Sequence, residues 1–296
     1  MSTSRRARRW LVALGLGASV ALVAAIAPAA VAERPTHAGS GYLALGDSVA
    51  FGYRPPEVTA PTAYLNANNF GGYAEDLAGF DSLTLANASC PGETSGSLIT
   101  SGAQSNGCEN SLGSPAGYRT RFPLHVDYSG TQLAYAVGYL RAHPRTQLVT
   151  VSIGANDLFV CQQTTADHCT GADFAAALAR ISANVTTLFS ALRHQAHYHH
   201  TLILVAYYAL SYSDPVQVAG TQALNNALAG ATRQFGGVVA DGFTAFQRVA
   251  AGTGGDPCAA GLLVPLPGGT CNIHPSAYGH AVLAGAIQKV IDRHDN

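Results

Sequence analysis

Tyr42-Leu43-Ala44-Leu45-Gly46-Asp47-Ser48 decides how the rest of the chain is read. Four apolar residues in a row, without alternation, fit a strand covered on both faces, as in a parallel sheet with helices on either side. The run stops on a glycine, a carboxylate and a hydroxyl, the composition of a tight turn at a strand's carboxyl end. Four further short apolar runs follow, at residues 83–87, 148–153, 202–207 and 237–240. Between them, residues 132–140, 174–192, 215–235 and 277–291 repeat apolar side chains at three- and four-residue steps, the period of a helix with one buried face. In the last of these, Val282, Leu283, Ala286, Ile287, Val290 and Ile291 form one stripe, and Ser276 after Pro275 is a fitting N-cap. Strands alternating with helices predict an α/β fold, a layered sandwich around about five parallel strands. Residues 54–69 and 91–125, rich in Gly, Pro, Ser, Asn or Tyr, read as long loops, functional or merely decorative.

The chain's 296 residues are 48% apolar and 11% charged, which excludes a disordered protein and allows a large core. Arg5, Arg6, Arg8 and Arg9 precede an uncharged apolar stretch that ends in Ala30-Val31-Ala32. This pattern predicts a secretory signal peptide over residues 1–32, cut after Ala32, with an uncleaved anchor helix as the alternative. The mature part, residues 33–296, is then expected to be a single domain without a stable membrane anchor. Without the four leader arginines, 12 basic residues face 17 acidic ones, a net charge of −5. Such a chain has no electrostatic reason to bind nucleic acid. All six cysteines, Cys90, Cys108, Cys161, Cys169, Cys258 and Cys271, lie in the mature part. An even count in an exported chain points to disulfides. Sequence proximity pairs them as 90–108, 161–169 and 258–271. No C-x-x-C pair occurs, which argues against a structural zinc site. His194, His197, His199 and His200 form a cluster that reads as a polar helix end, with a zinc site the less favoured alternative.

Strand ends carry the chemistry. The first runs into Gly46-Asp47-Ser48, the second into Asn87-Ala88-Ser89-Cys90-Pro91-Gly92, the third into Gly154-Ala155-Asn156-Asp157, and His274-Pro275 stands just before the last helix. In a parallel sheet the first three sets converge on one edge, where ligands bind. Ser48 offers a hydroxyl nucleophile and His274 a base. The N–H groups of Ser48 and Gly92 and the Asn156 amide offer donors for an oxyanion. Taken alone, Asp47 and Ser48 could simply cap a helix, and Asn156-Asp157 could be turn residues.

These four ordered blocks resemble those of the SGNH, or GDSL, hydrolases, and in particular secreted actinobacterial-type esterases and lipases. The match runs through Gly-Asp-Ser at 46–48, Gly92 after Asn87, Gly-x-Asn-Asp at 154–157, and His274 in a His-Pro-Ser-x-x-Gly-His setting, covering roughly residues 40–292. The resemblance implies a flavodoxin-like three-layer α/β/α sandwich. It also implies Ser48 as nucleophile, His274 as base, and Ser48, Gly92 and Asn156 as the oxyanion hole, with no metal or cofactor. Secreted members with this look often carry three bridges, and one joining Cys90 to Cys108 would pin the loop that holds Gly92. One block departs from the pattern. Many members place an aspartate two or three residues before the catalytic histidine, where this chain has Asn272 and Cys271. The expectation is a Ser–His dyad in which the Asn272 side chain or the Cys271 carbonyl orients the imidazole, and in which the lack of the acid either lowers activity or calls for a higher pH to keep His274 neutral. The expected activity is hydrolysis of lipid or short-chain acyl esters by a secreted, monomeric enzyme. A carbohydrate acetyl esterase on the same fold, or a binding protein without catalysis, is the alternative. An apolar acyl groove would draw on Tyr53, Tyr64, Phe70 and Phe159. Asp157 and His280 are expected to be structural.

Overall fold

The computed structural model describes residues 39–294; the leader expected at 1–32 lies outside them. Five strands, β1 (Gly41–Gly46), β2 (Thr84–Asn87), β3 (Thr146–Ser152), β4 (Thr201–Val205) and β5 (Val238–Ala240), form one parallel sheet in the order β2-β1-β3-β4-β5. Each falls within a few residues of an apolar run in the sequence. Leu43, Leu45, Val149, Val151, Ile203 and Leu204 are fully buried, as helices on both faces require. The strand order reverses between β1 and β3, so the crevice at their carboxyl ends is the natural place for a ligand.

Nine α-helices follow or flank the strands among the described residues: α1 (Ser48–Phe51), α2 (Tyr73–Asp81), α3 (Ser95–Ile99), α4 (Gln132–Ala142), α5 (Ala155–Thr164), α6 (Gly171–Ser190), α7 (Pro215–Gln234), α8 (Gly242–Ala250) and α9 (Ala277–His294). One group packs α9 against α2 and α8; the other packs α6 against α3 and α7, and α4 against α3. With the sheet they make the three layers of an α/β/α sandwich. Local chemistry sets their starts. Asp214 caps α7 and Pro215 opens it, Thr131 caps α4, and Asp241 caps α8. The Ser276 hydroxyl accepts from the Gly279 N–H at 3.1 Å at the start of α9, as its position predicted. The helix α6 and its continuation to Gln195 are long and apolar enough to cross a membrane. Ile181, Val185, Leu188 and Phe189 of α6 are buried, however, which makes it a core helix of the sandwich.

A two-stranded antiparallel hairpin, β6 (Leu263–Pro265) and β7 (Cys271–Pro275), stands apart from the main sheet and delivers His274. Sequence periodicity gave no sign of it, because its strands are three and five residues long. Disulfides join Cys90 to Cys108, Cys161 to Cys169 and Cys258 to Cys271. These are the pairs expected from proximity, and the last anchors β7.

Candidate active site

Gly46, Asp47 and Ser48 make the turn from β1 into α1. Gly46 has φ +131°, and a Cβ there would lie 1.9 Å from the Ser152 carbonyl oxygen, so only glycine fits. Gln132 holds this glycine by both backbone groups: its Oε1 accepts from the Gly46 N–H and its Nε2 donates to the Gly46 carbonyl, each at 2.8 Å. The buried Asp47 accepts from the Val49 N–H at 2.9 Å, capping α1. Its second oxygen accepts from the Tyr207 hydroxyl, which in turn accepts from the Ala155 N–H at 3.4 Å. Asp47 therefore ties the turn at Ser48 to the start of α5. Burial pushes the Asp47 carboxyl up to about 7, against the lowering effect of the Tyr207 bond. Ser48 itself stays partly exposed, and as the first residue of α1 its N–H has no acceptor within the helix.

The hairpin brings His274 to this serine, with Nε2 2.9 Å from the Ser48 Oγ. The other ring nitrogen, Nδ1, lies 2.5 Å from Asn272 Oδ1, which also accepts from the His274 backbone N–H at 3.2 Å. That backbone bond fixes which way the amide faces. Nδ1 must then carry the proton, leaving Nε2 free to accept the serine proton. Of the two candidates left open by the sequence, the Asn272 side chain is the one bonded to the ring. Tyr53 covers the ring edge to face, with centroids 4.9 Å apart. Burial lowers His274 to about 4, so the imidazole is neutral at ordinary pH. This corrects the expectation that loss of the acid calls for a higher pH. Burial and the lack of a carboxylate act in the same direction, since both disfavour the imidazolium.

Gly92 and Asn156 line the same groove as Ser48 and His274. Gly92 has φ +83°, and a Cβ would meet the Asn106 carbonyl oxygen at 2.6 Å, so the position requires glycine. Asn106, which the sequence did not single out, holds both donors. Its N–H donates to the Gly92 carbonyl at 2.7 Å, and its Nδ2 donates to Asn156 Oδ1 at 2.9 Å. The Asn156 amide is thereby turned so that its own Nδ2 donors are left for the groove. The bridge between Cys90 and the fully buried Cys108 joins the Gly92 turn to the loop that carries Asn106. Glu93, buried, accepts from Gln132 Nε2 at 2.7 Å and from the Ser97 hydroxyl, which links the Gly92 turn to the Gly46 turn. Burial pushes it up to about 8.

The remaining residues set apart in the sequence have structural surroundings. Asp157 accepts from the Ser95 N–H at 2.8 Å and hydroxyl at 2.6 Å, joining α5 to α3. His280 is buried and its Nδ1 accepts from the Tyr73 N–H at 3.2 Å. Among the described residues, the histidines at 194–200 do not gather three ligand atoms; the one group that does pairs Glu93 with Cys90 and Cys108, whose sulfurs are already joined.

Ser48, Gly92, Asn156 and His274 line one groove of about 1580 Å³ with largely apolar walls. Tyr53, Tyr64 and Phe159 belong to those walls. Phe70 does not: it is fully buried beneath them, packed against Phe51 and Tyr64 with centroids 5.7 and 5.1 Å away. A hydroxyl bonded to a neutral imidazole, with N–H donors alongside in an apolar groove, has the parts for acyl transfer.

Residues 44–282 match the family model described as GDSL-like Lipase/Acylhydrolase. No curated protein sequence matches the chain. Among solved structures, the chain is similar to phospholipase A1 from Streptomyces albidoflavus NA297, at 17% identity and a TM-score of 0.54, over 85% of this chain and 99% of that one. It is also similar to an acetylxylan esterase from Geobacillus stearothermophilus, at 15% identity and a TM-score of 0.53, over 86% of this chain and 94% of that one. At such identities these likenesses establish the shared fold.

Proposed function

The chain belongs to the GDSL-like lipase/acylhydrolase family, and from that premise we propose that it is a secreted serine ester hydrolase acting through an acyl-enzyme on Ser48. In this reading Ser48 Oγ attacks the ester carbonyl carbon while His274 Nε2 takes its proton. Asn272 Oδ1 receives the Nδ1–H bond, which strengthens as the imidazolium forms. The oxyanion accepts from the Ser48 and Gly92 N–H groups and from Asn156 Nδ2. The intermediate collapses as Nε2 returns the proton to the departing alcohol. Water, with His274 again as base, then frees the acid and restores the serine. No step calls for a metal or cofactor.

The observation that carries the proposal is the 2.9 Å approach of Ser48 Oγ to His274 Nε2 at a shared groove with Gly92 and Asn156. We place the enzyme outside the cell, with residues 1–32 as its leader and 33–296 as one catalytic domain. Three disulfides support that placement. The substrate class is an acyl ester, lipid or short-chain, rather than an acetylated carbohydrate, because the groove walls are largely apolar. The test is hydrolysis of nitrophenyl esters of two to sixteen carbons by protein starting at Glu33, beside Ser48→Ala. Cleavage by the wild type alone supports the mechanism. Cleavage by neither leaves a binding protein on a hydrolase fold, and equal cleavage by both removes Ser48 from the reaction.

A further inference from the structure

Two consecutive tyrosines, Tyr207 and Tyr208, follow the carboxyl end of β4. Both are buried, at 7% and 8% exposure. A buried phenol needs a hydrogen-bond partner, and a protein offers many. Here every partner is the residue directly before a residue of the candidate site. The Tyr207 hydroxyl donates to Asp47 Oδ2, next to Ser48, and accepts from the Ala155 N–H at 3.4 Å, next to Asn156. The Tyr208 hydroxyl donates to the Ile273 carbonyl at 2.7 Å, next to His274. We propose that Tyr207 and Tyr208 are positioning residues of the reaction: Tyr207 sets the spacing of the Ser48 and Asn156 donors around the oxyanion, and Tyr208 holds His274 at the serine. This rests on the ester-hydrolase reading and extends the site to a strand end outside the four blocks of the sequence.

Both tyrosines are themselves fixed. Asn225, on α7, takes Tyr207 by both backbone groups: its Oδ1 accepts from the Tyr207 N–H at 2.9 Å, and its Nδ2 donates to the Tyr207 carbonyl at 2.8 Å. Gln132 holds Gly46 in the same way. The Tyr207 hydroxyl is therefore a fixed point between the turns that leave β1 and β3. The two donors come from these separate turns, and an oxyanion hole depends on donors pre-set at the distances the oxyanion requires. The Tyr208 ring lies nearly parallel to that of Phe246 in α8, with centroids 4.2 Å apart. Its hydroxyl ties β7 to the end of β4, although the β6–β7 hairpin is not part of the main sheet. The Cys258–Cys271 bridge anchors the start of β7, and the Tyr208 bond holds it at Ile273, beside the histidine. Phenylalanine at either position would keep the ring and make none of these hydroxyl bonds.

Tyr207→Phe and Tyr208→Phe are the test variants. Rates are referred to the active sites titrated to completion by a fluorophosphonate and are taken well below each variant's Tm, so that loss of fold is not read as loss of rate. Tyr207→Phe is expected to lower kcat for nitrophenyl butyrate by about 5- to 50-fold, less than outright removal of the Asn156 donor, with KM within about twofold. Spacing matters only while both donors exist. In an Asn156→Ala background the same substitution should therefore cost less than about threefold. Tyr208→Phe is read with two esters of one acid. Nitrophenyl butyrate releases a stable anion, whereas the ethanol of ethyl butyrate must take a proton from His274. The fall in kcat/KM should be at least about fivefold greater for the ethyl ester. An equal loss from Tyr207→Phe in both backgrounds, an equal loss from Tyr208→Phe on both esters, or variants that lose Tm but no rate would each overturn the proposal. A wild type that cleaves neither ester overturns the hydrolase reading itself, and the proposal with it.

Discussion

Asn272 stands where many family members carry an aspartate, and replacing it gives opposite results in two directions. Its Oδ1 is 2.5 Å from His274 Nδ1. With the ring neutral this is an ordinary hydrogen bond, worth about 1 kcal/mol net. When the ring becomes imidazolium in the transition state, the same bond is charge-assisted, about 1.5–3 kcal/mol. Asn272→Ala therefore removes roughly 0.5–2 kcal/mol that is specific to the transition state, a fall in kcat of about 2- to 30-fold. Asn272→Asp replaces a neutral acceptor with a charge. An opposite charge at this range raises a histidine by roughly 1–3 pH units. The acid limb of kcat/KM should then move up from its wild-type position near pH 4, where burial places His274. On the plateau above it, the carboxylate stabilises the imidazolium transition state, and kcat rises by about tenfold or more. The assay is the pH profile of kcat/KM and kcat for a soluble nitrophenyl ester between pH 4 and 9, with all three proteins. If the limb does not move in Asn272→Asp and kcat does not fall in Asn272→Ala, Asn272 does not orient the base.

Other perturbations probe the parts around this pair. Asn156→Ala, which removes an oxyanion donor, should cost about 2.7–4 kcal/mol of transition-state stabilisation, read as a hundredfold or greater fall in kcat with little change in KM. Asn106→Ala leaves the donor but frees its amide to turn, so kcat should fall by about tenfold; a change confined to thermal stability would contradict the positioning role. Replacing both Cys90 and Cys108 by serine opens the link between Gly92 and Asn106, and a loop of this size predicts a loss of about 3 kcal/mol, measured by denaturant unfolding. Stability should also fall as pH rises from about 6.5 to about 8. In that window the unfolded chain has released the protons of Asp47 and Glu93, while burial keeps them on the folded protein up to about 7 and 8. Below it, the buried His274 and His280 act in the opposite sense, since they stay neutral in the folded state down to about 4 and 3. The Tm of Glu93→Gln should therefore decline less steeply above pH 6.5 than that of the wild type, and equal slopes would remove Glu93 from the explanation.

The fold was legible because its central strands are covered on both faces, which writes unbroken apolar runs such as 42–45 and 148–153 into the sequence. Long amphipathic helices such as α6, α7 and α9 were legible for the complementary reason, a stripe at helical spacing. Short elements escaped. In α2 the buried face is Tyr73, Ala74, Leu77 and Ala78, two turns and too short to mark a stripe, although Phe243, Phe246 and Ala250 in α8 carry the period. Residues that follow strand ends announced themselves by position, which is why Ser48, Gly92 and Asn156 could be picked out. Asn106 could not, because it sits in a loop without periodicity and acquires its partners only when the Cys90–Cys108 loop folds back on the Gly92 turn. Asn272 could be named but not chosen over the Cys271 carbonyl, since the choice depends on the β6–β7 hairpin. Phe70 shows the reverse case: its aromatic side chain suits a groove wall, yet it lies in a second small core with Phe51, Tyr64 and Tyr118.

The most direct measurement is active-site labelling. The mature protein is incubated with a fluorophosphonate, which phosphonylates an activated serine, and the adduct is located by peptide mass spectrometry. The account predicts one adduct per chain, on Ser48, absent in Ser48→Ala and at least a hundredfold slower in His274→Ala. A wild type that takes up no label, or takes it up on another residue, would contradict the claim that Ser48 and His274 form the working centre of this protein.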